Sequence, residues 1–469
     1  MRATPLRVAV LSFLWPGLGH AVIGRRRTAV FFALPALVVA LIILYQLRDG
    51  FDILLARALL VPTGARMLIA ASILLAIWRL VAMGDAVRLA GGIGPLPWTS
   101  RGRSSRSHVS RGPSSGSGAS RTTTAGIVLL AALIAIPHAG LAWVGATFLG
   151  ASSQIYVSQP GTADASPVPG ASSVIGGATG ESPPPPPYET PAPGGRINVL
   201  IIGSDGGLGY THSLTDSMIV VSVDPETLHA DMLSFPRDIS RFKLYNGGTF
   251  QGKLNSLATF ADDNPRQFPD GGLGTLTREI GFLLGVPIHY FAYVNLAGFK
   301  SLVDSVGGVD VVNEKQISDA NYGFPDGKKG FFMTPGRHHL DGRTALAYVR
   351  TREGPGDNDF TRARRQQQVL VALKARLTDP TLLPQLPTIL GAMARTVQTD
   401  YPADSVPDLL ILARQFNNDA NVSHYVLGPP YAKNPADNGG TYMLVLDQAR
   451  ISALSIKLFG QESAYAKTG

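Results

Sequence analysis

The chain has 469 residues, of which 45% are hydrophobic and 16% are charged, whereas an ordinary soluble domain is about 25% charged. It contains no cysteine, which excludes disulfide scaffolds, thiol enzymes and zinc sites built on cysteine. The net charge of +8 lies in residues 1–195, which carry +9, while residues 196–469 carry −1. The basic part also holds the longest apolar runs, and this combination indicates a membrane rather than a DNA-binding surface.

Three stretches near the amino terminus are long and apolar enough to span a bilayer. Residues 28–47 and 125–149 carry no charge, and twenty residues at about 1.5 Å each cover a hydrocarbon core of about 30 Å. Residues 67–84 form a weaker span, because Arg79 has to snorkel or face protein. The apolar stretch 8–24 is broken by proline and glycine, so a span, a re-entrant hairpin and an interfacial helix all stay open.

The placement of arginines gives these spans an orientation. The loop 85–124 carries six arginines against one aspartate, so the positive-inside rule places it in the cytoplasm. The next span then leads outward, and we expect everything after residue 150 to lie outside the cell. The sequence therefore predicts a multi-pass transmembrane region over residues 1–150, with three to four helices.

A low-complexity segment separates this region from the rest of the chain. Residues 151–195 are rich in Ser, Pro, Gly and Ala, with five consecutive prolines at 183–187. Such a segment cannot bury enough apolar surface to become ordered, so we expect a disordered linker. From residue 196 to 469 the pattern is that of a globular α/β domain.

The elements predicted in this domain are strands mixed with helices. Strands are expected at 197–202, 217–223, 229–235, 288–294 and 309–312. Helices are expected at 273–284, 296–305 and 360–377. This alternation predicts helices packed on both faces of a central sheet.

Acidic and basic side chains gather at the ends of these elements. Asp205 follows the first predicted strand, Asp216 opens the second, and Arg237 follows the third. Two aspartates can hold Mg²⁺, which takes few carboxylates and completes its shell with phosphate and water. Lys253 adds a further cation downstream.

More cations follow in the second half of the domain. Arg350 and Arg352 are two residues apart, so in an extended chain both would point to one face. Arg362 and Gln366 share one face of the long predicted helix, with Asp359 near its amino end. Arginines bind phosphate oxygens bidentately, so these residues and the aspartates can form a pyrophosphate site. An alternative stays open, in which the arginines form a solvated face paired with neighbouring carboxylates.

Six sequence blocks occur in an order that is typical of one family. They are NVLIIGSD, TDSMIVVSVDPET, MLSFPRD, GGVDV, TALAYVRTR and DFTRARRQQQ. These blocks span residues 198–376 or so and resemble the LytR-CpsA-Psr family. Enzymes of that family move a glycopolymer from a polyprenyl-pyrophosphate carrier to the 6-hydroxyl of N-acetylmuramic acid in peptidoglycan. The resemblance implies an α-β-α sandwich with a central mixed sheet and a deep apolar pocket for the lipid tail.

The resemblance also implies roles for individual residues. It places Asp205 and Asp216 on Mg²⁺, and it has Asp359 orient the arginines or serve as the catalytic base. The implied catalytic set is Asp205, Asp216, Arg350, Arg352 and Asp359. The implied pyrophosphate ligands are Arg237, Lys253, Arg350, Arg352, Arg362 and Gln366.

Two departures from the family pattern bear on activity. Gly207 and Leu214 stand where many members have arginine, which puts the strength of phosphate binding or the choice of polymer in question. The resulting prediction is a membrane-anchored transferase on the outer face of the cell. Its partners would be a polyprenyl-pyrophosphate-linked glycan and peptidoglycan, and no nucleic acid. A pyrophosphatase that hydrolyses the same carrier and a non-enzymatic envelope regulator or transcriptional attenuator are the alternatives.

Overall fold

The protein forms two compact units, Met1–Gly150 and Ala151–Gly469. The computed structural model describes residues 4–91, 121–157, 191–192, 194–205, 214–324, 326–416, 421–438 and 440–467. Most of the predicted cytoplasmic loop and most of the predicted linker lie outside the described residues, so those two predictions stay predictions.

The described part of the first unit consists of helices. They are α1 (Pro5–Leu14), α2 (Leu18–Val22), α3 (Arg26–Gln46), α4 (Phe51–Leu55), α5 (Pro62–Leu89) and α6 (Arg121–Ile155). Three segments are long and apolar enough to cross a membrane, namely Arg26–Asp49, Pro62–Leu89 and Arg121–Ile155. Each of these segments contains one of the predicted spans.

The ambiguous stretch near the amino terminus forms the two short helices α1 and α2. Between them, Gly17 takes a left-handed conformation with φ of 99°, which breaks the helix. With 10 residues, α1 is too short to cross a hydrocarbon core of about 30 Å. Arg79 of α5 faces protein, because its guanidinium donates a hydrogen bond to the carbonyl of Phe13 at 2.5 Å.

Helix α6 continues past residue 150, where the disordered linker was expected to begin. It ends at Ile155, and the N–H of Val157 then donates to the carbonyl of Thr399 at 2.9 Å. Residues 151–155 contain neither glycine nor proline, so nothing in them stops a helix that has already formed. The predicted start of the linker is therefore wrong, since residues 151–157 are ordered.

The second unit contains fourteen strands among its described residues. They are β1 (Ile197–Ser204), β2 (Thr215–Asp224), β3 (His229–Phe235), β4 (Ser240–Lys243), β5 (Thr249–Lys253), β6 (Tyr290–Asn295), β7 (Val309–Asn313), β8 (Ile317–Gly323), β9 (Lys329–Met333), β10 (Gly336–Leu340), β11 (Val397–Thr399), β12 (Val422–Val426), β13 (Ala432–Lys433) and β14 (Val445–Leu446). Six of them form a central mixed sheet with the order β11-β6-β1-β2-β3-β12. In this sheet β1, β3, β6 and β12 run in one direction, and β2 and β11 run in the other.

Helices lie on both faces of this sheet. They are α7 (Leu257–Asp263), α8 (Gly271–Leu284), α9 (Leu296–Ser305), α10 (Gly342–Arg350), α11 (Asp359–Leu377), α12 (Leu386–Thr396), α13 (Val406–Gln415) and α14 (Gln448–Phe459). One face packs Leu200, Val220 and Leu233 against residues of α7, α8 and α14. Helix α11 contacts β3 and β12. The predicted α/β fold with a central mixed sheet is confirmed.

The second face of the sheet is less completely covered than the first. Side chains alternate across a strand, so the neighbours of Leu200 on β1, Val199 and Ile201, point to this other face. Both are only half-buried, as is Val221 on β2. We call these three residues the half-buried apolar face.

Candidate active site

The sheet topology brings three of the predicted residues to one edge. Ser204 at the end of β1 pairs with Thr215 at the start of β2, so Asp205 and Asp216 each stand next to this pair. Strand β3 runs antiparallel to β2 and ends at Phe235, which pairs with Met218. Arg237 follows two residues later and therefore reaches the level of Asp216.

Asp216 and Arg237 form the first ion pair of the site. A guanidinium N–H of Arg237 donates to Oδ1 of Asp216 at 3.0 Å, and Nδ2 of Asn255 approaches the same oxygen at 3.4 Å. Burial acts to lower the pKa of Arg237, but the hydrogen bond and charge of Asp216, with Asp359 and Asp238, raise it overall. The guanidinium therefore keeps its charge although it is partly buried.

Asp238 lies beneath this pair and holds the predicted ligand Lys253. Lys253 Nζ donates to Oδ1 of Asp238 at 2.5 Å, and Arg237 Nε lies 3.8 Å from Oδ2 of the same carboxylate. Asp238 is buried, with 6% of its surface exposed, and a buried carboxylate is costly unless cations are paired with it. The carboxylate of Asp238 therefore holds Lys253 at the site.

A second ion pair forms at the amino end of α11. The side chain of Asn358 caps this helix, and Asp359 is its first residue. Oδ1 of Asp359 lies 3.0 Å from Arg362 and 3.7 Å from Arg352, so one carboxylate holds two arginines. Burial lowers the pKa of Arg362, and Asp359 opposes this effect.

The two ion pairs belong to one cluster. The charge of Asp359 acts on Arg237, while the charges of Arg237, Asp216 and Asp238 act on Arg362. We call this set the ionic cluster, and its members are Asp216, Arg237, Asp238, Lys253, Arg352, Asp359 and Arg362. The cluster joins the carboxyl end of β3 to the amino end of α11.

Arg350 differs from the other arginines of the site. It is the last residue of α10, so the expectation that Arg350 and Arg352 lie on one extended segment is wrong. The apolar residues before it follow a helical pattern, and the helix runs up to Arg350. Its side chain is exposed and makes no hydrogen bond or ion pair with any residue that the structure describes. Gln366 lies beside it, because its Nε2 donates to the carbonyl of Val349 at 3.2 Å.

Hydrogen bonds to buried side chains fix the segment between α10 and α11. The hydroxyl of Thr351 donates to Oδ2 of the buried Asp319 at 2.5 Å, which fixes the residue between the two arginines. Arg365 donates to Asp357 at 2.8 Å and to the carbonyl of Thr351. Arg362 and Arg365 are thus paired with carboxylates, as the alternative interpretation expected, but they are buried and do not form the solvated face of that interpretation, whereas Arg350 is exposed to solvent.

Two residues of this region were missed by the sequence reasoning. Gln367 is fully buried, and its Nε2 donates to Ser234 Oγ at 2.8 Å and to the carbonyl of Tyr425 at 2.9 Å. It therefore fastens α11 across β3 and β12, although the sequence singled out Gln366. Tyr442 is the other, because the charges of Asp238 and Asp359 reach its phenol. A long-range contact of this kind leaves no local sequence signal.

The two proposed metal ligands stand at the rim of the cluster. Asp205 is exposed, and within the described part of the chain no hydrogen bond reaches it. Among the residues that the structure describes, no group of three or more histidine, cysteine or acidic side chains could hold a metal ion by itself. Leu214, which replaces a family arginine, is 44% exposed just before β2, and Gly207 lies outside the described residues.

Comparison with known proteins places this geometry in a family. A polyisoprenyl-teichoic acid–peptidoglycan teichoic acid transferase TagU of Bacillus mycoides is 29% identical over 254 residues, covering 54% of this chain and 75% of the relative. The TagU of Halalkalibacterium halodurans is 30% identical over 213 residues, 45% of this chain and 64% of the relative. The chain thus spans less than two thirds of the second relative.

The chain was also compared with a solved structure and with a family model, and the family model decides the family. The crystal structure of B. subtilis TagV has a TM-score of 0.46 and 22% identity, covering 58% of this chain and 98% of that one. The model of the LytR_cpsA_psr family matches residues 181–459, which contain the six sequence blocks and the whole ionic cluster. This chain therefore belongs to the LytR-CpsA-Psr family.

Proposed function

We propose that the protein is a membrane-anchored transferase that moves a glycopolymer from a polyprenyl-pyrophosphate carrier to peptidoglycan. The observation that carries this proposal is the ionic cluster, in which Asp216 and Asp359 hold Arg237, Arg352 and Arg362 at one edge of the sheet. Fixed cations can neutralise a diphosphate and the charge that develops on its leaving group. The transferase names of the relatives support the same reaction class.

The donor would use two neighbouring surfaces of the domain. Its diphosphate would lie against the exposed guanidinium groups of Arg350 and Arg352, with Arg237 and Arg362 behind them. Its hydrocarbon tail would cover the half-buried apolar face, where each Å² of apolar surface removed from water contributes about 25 cal/mol. Lys253 and Gln366 would border the diphosphate.

We include Mg²⁺ in the proposal, held by Asp205 and Asp216. The donor set fits, because Asp205 is exposed and Asp216 engages Arg237 and Asn255 through Oδ1, so that Oδ2 faces no hydrogen-bond donor among the described residues. Mg²⁺ is commonly bound by one or two carboxylates together with phosphate oxygens and water. When bound, it would supply positive charge to the diphosphate oxygens.

The groups of the ionic cluster would serve each step of the transfer reaction. The acceptor hydroxyl attacks the phosphorus that carries the glycan, and the bond from this phosphorus to the bridging oxygen breaks. Polyprenyl phosphate leaves, with its charge held by the arginines. The hydroxyl proton passes to Asp359, which also orients Arg352 and Arg362.

The proposed location is the cell membrane, with several spans and the catalytic domain outside. Three apolar helices that fit a membrane support the anchor. The arginine-rich loop between the second and third of them supports the orientation, because positive loops stay in the cytoplasm. The peptidoglycan acceptor would then lie on the same side as the catalytic domain.

The test is glycan transfer by the full-length protein in lipid vesicles with Mg²⁺. Substrates are a polyprenyl-pyrophosphate-linked glycan and peptidoglycan oligomers, and the product is analysed for a phosphodiester to muramic acid. We expect Asp216→Asn to reduce transfer about 100-fold or more, because Arg237 loses its anionic partner. Asp310→Asn, which removes an exposed carboxylate on β7, is the matched control and should retain activity.

Product analysis separates transfer from hydrolysis. Glycan phosphate released into solution by the wild type, without muramic acid attached, would replace the transferase with the pyrophosphatase. The substitution of a family arginine by Leu214 is the observation that favours this second candidate, since weaker acceptor or phosphate binding admits water. Equal transfer by the wild type and Asp216→Asn would contradict the role that we assign to the ionic cluster.

A further inference from the structure

Residues 440–444 run beside the strand that leaves the ionic cluster. The N–H of Leu444 donates to the carbonyl of Asp238 at 2.9 Å, and the N–H of Ser240 donates to the carbonyl of Leu444 at 2.8 Å. Leu444 also forms a bridge with Ile239 and is buried. The backbone two residues after Tyr442 is therefore fixed directly against Asp238.

Tyr442 itself is exposed at the rim of the cluster. Its side chain is 48% exposed, and it makes no hydrogen bond to any residue of the described chain. Burial raises the pKa of its phenol, and the negative charges of Asp238 and Asp359 raise the pKa further. An aromatic ring is thus presented to solvent within range of the charges of Asp238 and Asp359, with a hydroxyl that stays neutral.

A strained residue holds the chain that leads to Tyr442. Arg241 has φ of 54°, a left-handed conformation that is costly for any residue with a Cβ. In this conformation its guanidinium donates to Oδ2 of Asp437 at 3.1 Å and to the carbonyl of Asp437 at 3.0 Å. Backbone strain of this kind concentrates at functional sites, where the surrounding structure maintains it. The clamp between Arg241 and Asp437 therefore points to a role for the segment that it fastens.

We propose that Tyr442 binds the sugar of the acceptor glycan that carries the attacking hydroxyl, and that the Arg241–Asp437 clamp positions it. This inference rests on the proposed function, which it deepens by assigning an acceptor subsite. Sugar rings present flat C–H faces that pack on aromatic rings, and hydroxyls that bond to phenols and carboxylates. A sugar on Tyr442 would have its hydroxyls on the side of Asp359, whose side chain is partly exposed, while the arginines hold the donor.

The decisive measurement separates acceptor binding from donor binding. Transfer by the full-length protein with Mg²⁺ is measured while the concentration of peptidoglycan oligomers or of lipid-linked donor is varied. We expect Tyr442→Ala to raise the acceptor KM about 10-fold or more and to leave the donor KM within about twofold. Tyr442→Phe keeps the ring, so its acceptor KM should stay within about threefold of the wild type.

Arg241→Gly tests the clamp without the risk of unfolding. Glycine adopts φ of 54° without strain, so the melting temperature should not fall, although the bonds to Asp437 are lost. We expect the acceptor KM to rise about threefold or more in this variant. Ile456→Ala, which removes an exposed apolar side chain on α14, is the control and should change neither KM.

Three results would overturn the inference or its basis. An acceptor KM within twofold of the wild type in Tyr442→Ala, with transfer intact, would exclude the acceptor subsite. A parallel rise of the donor and acceptor KM would move Tyr442 to the donor site and also exclude it. If the wild type hydrolyses the donor and transfers nothing, the proposed function fails, and direct binding of peptidoglycan oligomers to the wild type and Tyr442→Ala then decides the inference by itself.

Discussion

At the scale of single residues, Arg350 and Arg362 carry the same charge in different surroundings. Arg362 is 8% exposed and pairs with Asp359 at 3.0 Å, whereas Arg350 is exposed at the end of α10. A buried charge that loses its partner is costly, while an exposed charge costs little to remove. Substitution of Arg362 should therefore affect the stability of the fold, whereas substitution of Arg350 should affect only binding and catalysis.

This difference gives a prediction for two alanine variants of the full-length protein. Arg350→Ala should lower kcat/KM for transfer about 10- to 100-fold, the range for one or two charged hydrogen bonds to phosphate, and leave the melting temperature unchanged. Arg362→Ala should lower kcat/KM and the melting temperature, because Asp359 loses its closest cation. Thermal unfolding and transfer kinetics on the same preparations check both, and a loss of stability in Arg350→Ala would contradict the assignment.

The residue scale also shows where sequence reasoning stops. Asp216, Arg237 and Asp359 could be selected as candidates because acids and bases at strand and helix ends are visible in the sequence. Gln367 was not, because its importance comes from burial between β3 and β12, which lie far from it along the chain. The helical periodicity placed the neighbouring Gln366 on the same face as Asp359 and Arg362. Adjacent residues of a helix point in different directions, so Gln367 is buried although Gln366 is only partly buried.

At the scale of elements, continuous apolar runs predicted β1, β2, β3 and β6 within a few residues, because buried strands have few polar positions. The hairpin of β8 and β9 and the parallel pairing of β12 with β3 were not predicted. Strand β12 is only half-buried and pairs with a strand some 190 residues earlier, so its partner cannot be read from local sequence. Helix α10 was not predicted either.

Helix α8 contains a carboxyl group that links stability to pH. Glu279 is fully buried, and burial raises its pKa from an ordinary value of 4.5 to about 8, although it accepts a hydrogen bond from the N–H of Tyr245. The folded state therefore keeps a proton that the unfolded state releases. The stabilising effect of this proton is fully present below about pH 4.5 and is lost as pH rises to about 8.

The corresponding prediction concerns Glu279→Gln. This variant should lose less free energy of unfolding than the wild type when pH rises from about 5 to about 8, by about 2 kcal/mol or more. Urea unfolding at several pH values measures this slope, with Glu226→Gln in the exposed turn between β2 and β3 as the control. Equal slopes in the wild type and Glu279→Gln would show that the buried carboxyl does not change its pKa on folding.

At the scale of the whole molecule, the absence of cysteine makes the membrane orientation directly testable. A single cysteine replaces Ser110 in the arginine-rich loop, or Glu226, which is exposed in the second unit. In intact cells, a membrane-impermeant maleimide should label Glu226→Cys and not Ser110→Cys, because the positive loop stays inside. Permeabilised cells, in which both should react, provide the control, and the reverse pattern in intact cells would place the catalytic domain in the cytoplasm.

The pairing of Ser204 with Thr215 has a consequence for how this enzyme family diversifies. This pairing places Asp205 directly after the last paired residue of β1 and Asp216 at the register shift next to the first paired residue of β2. Leu214 lies just before the pair and is exposed, so a change of charge at this position leaves the hydrogen bonds between the two strands in place. Members of the family can thus differ in charge beside the two acids while the strands that position these acids stay paired.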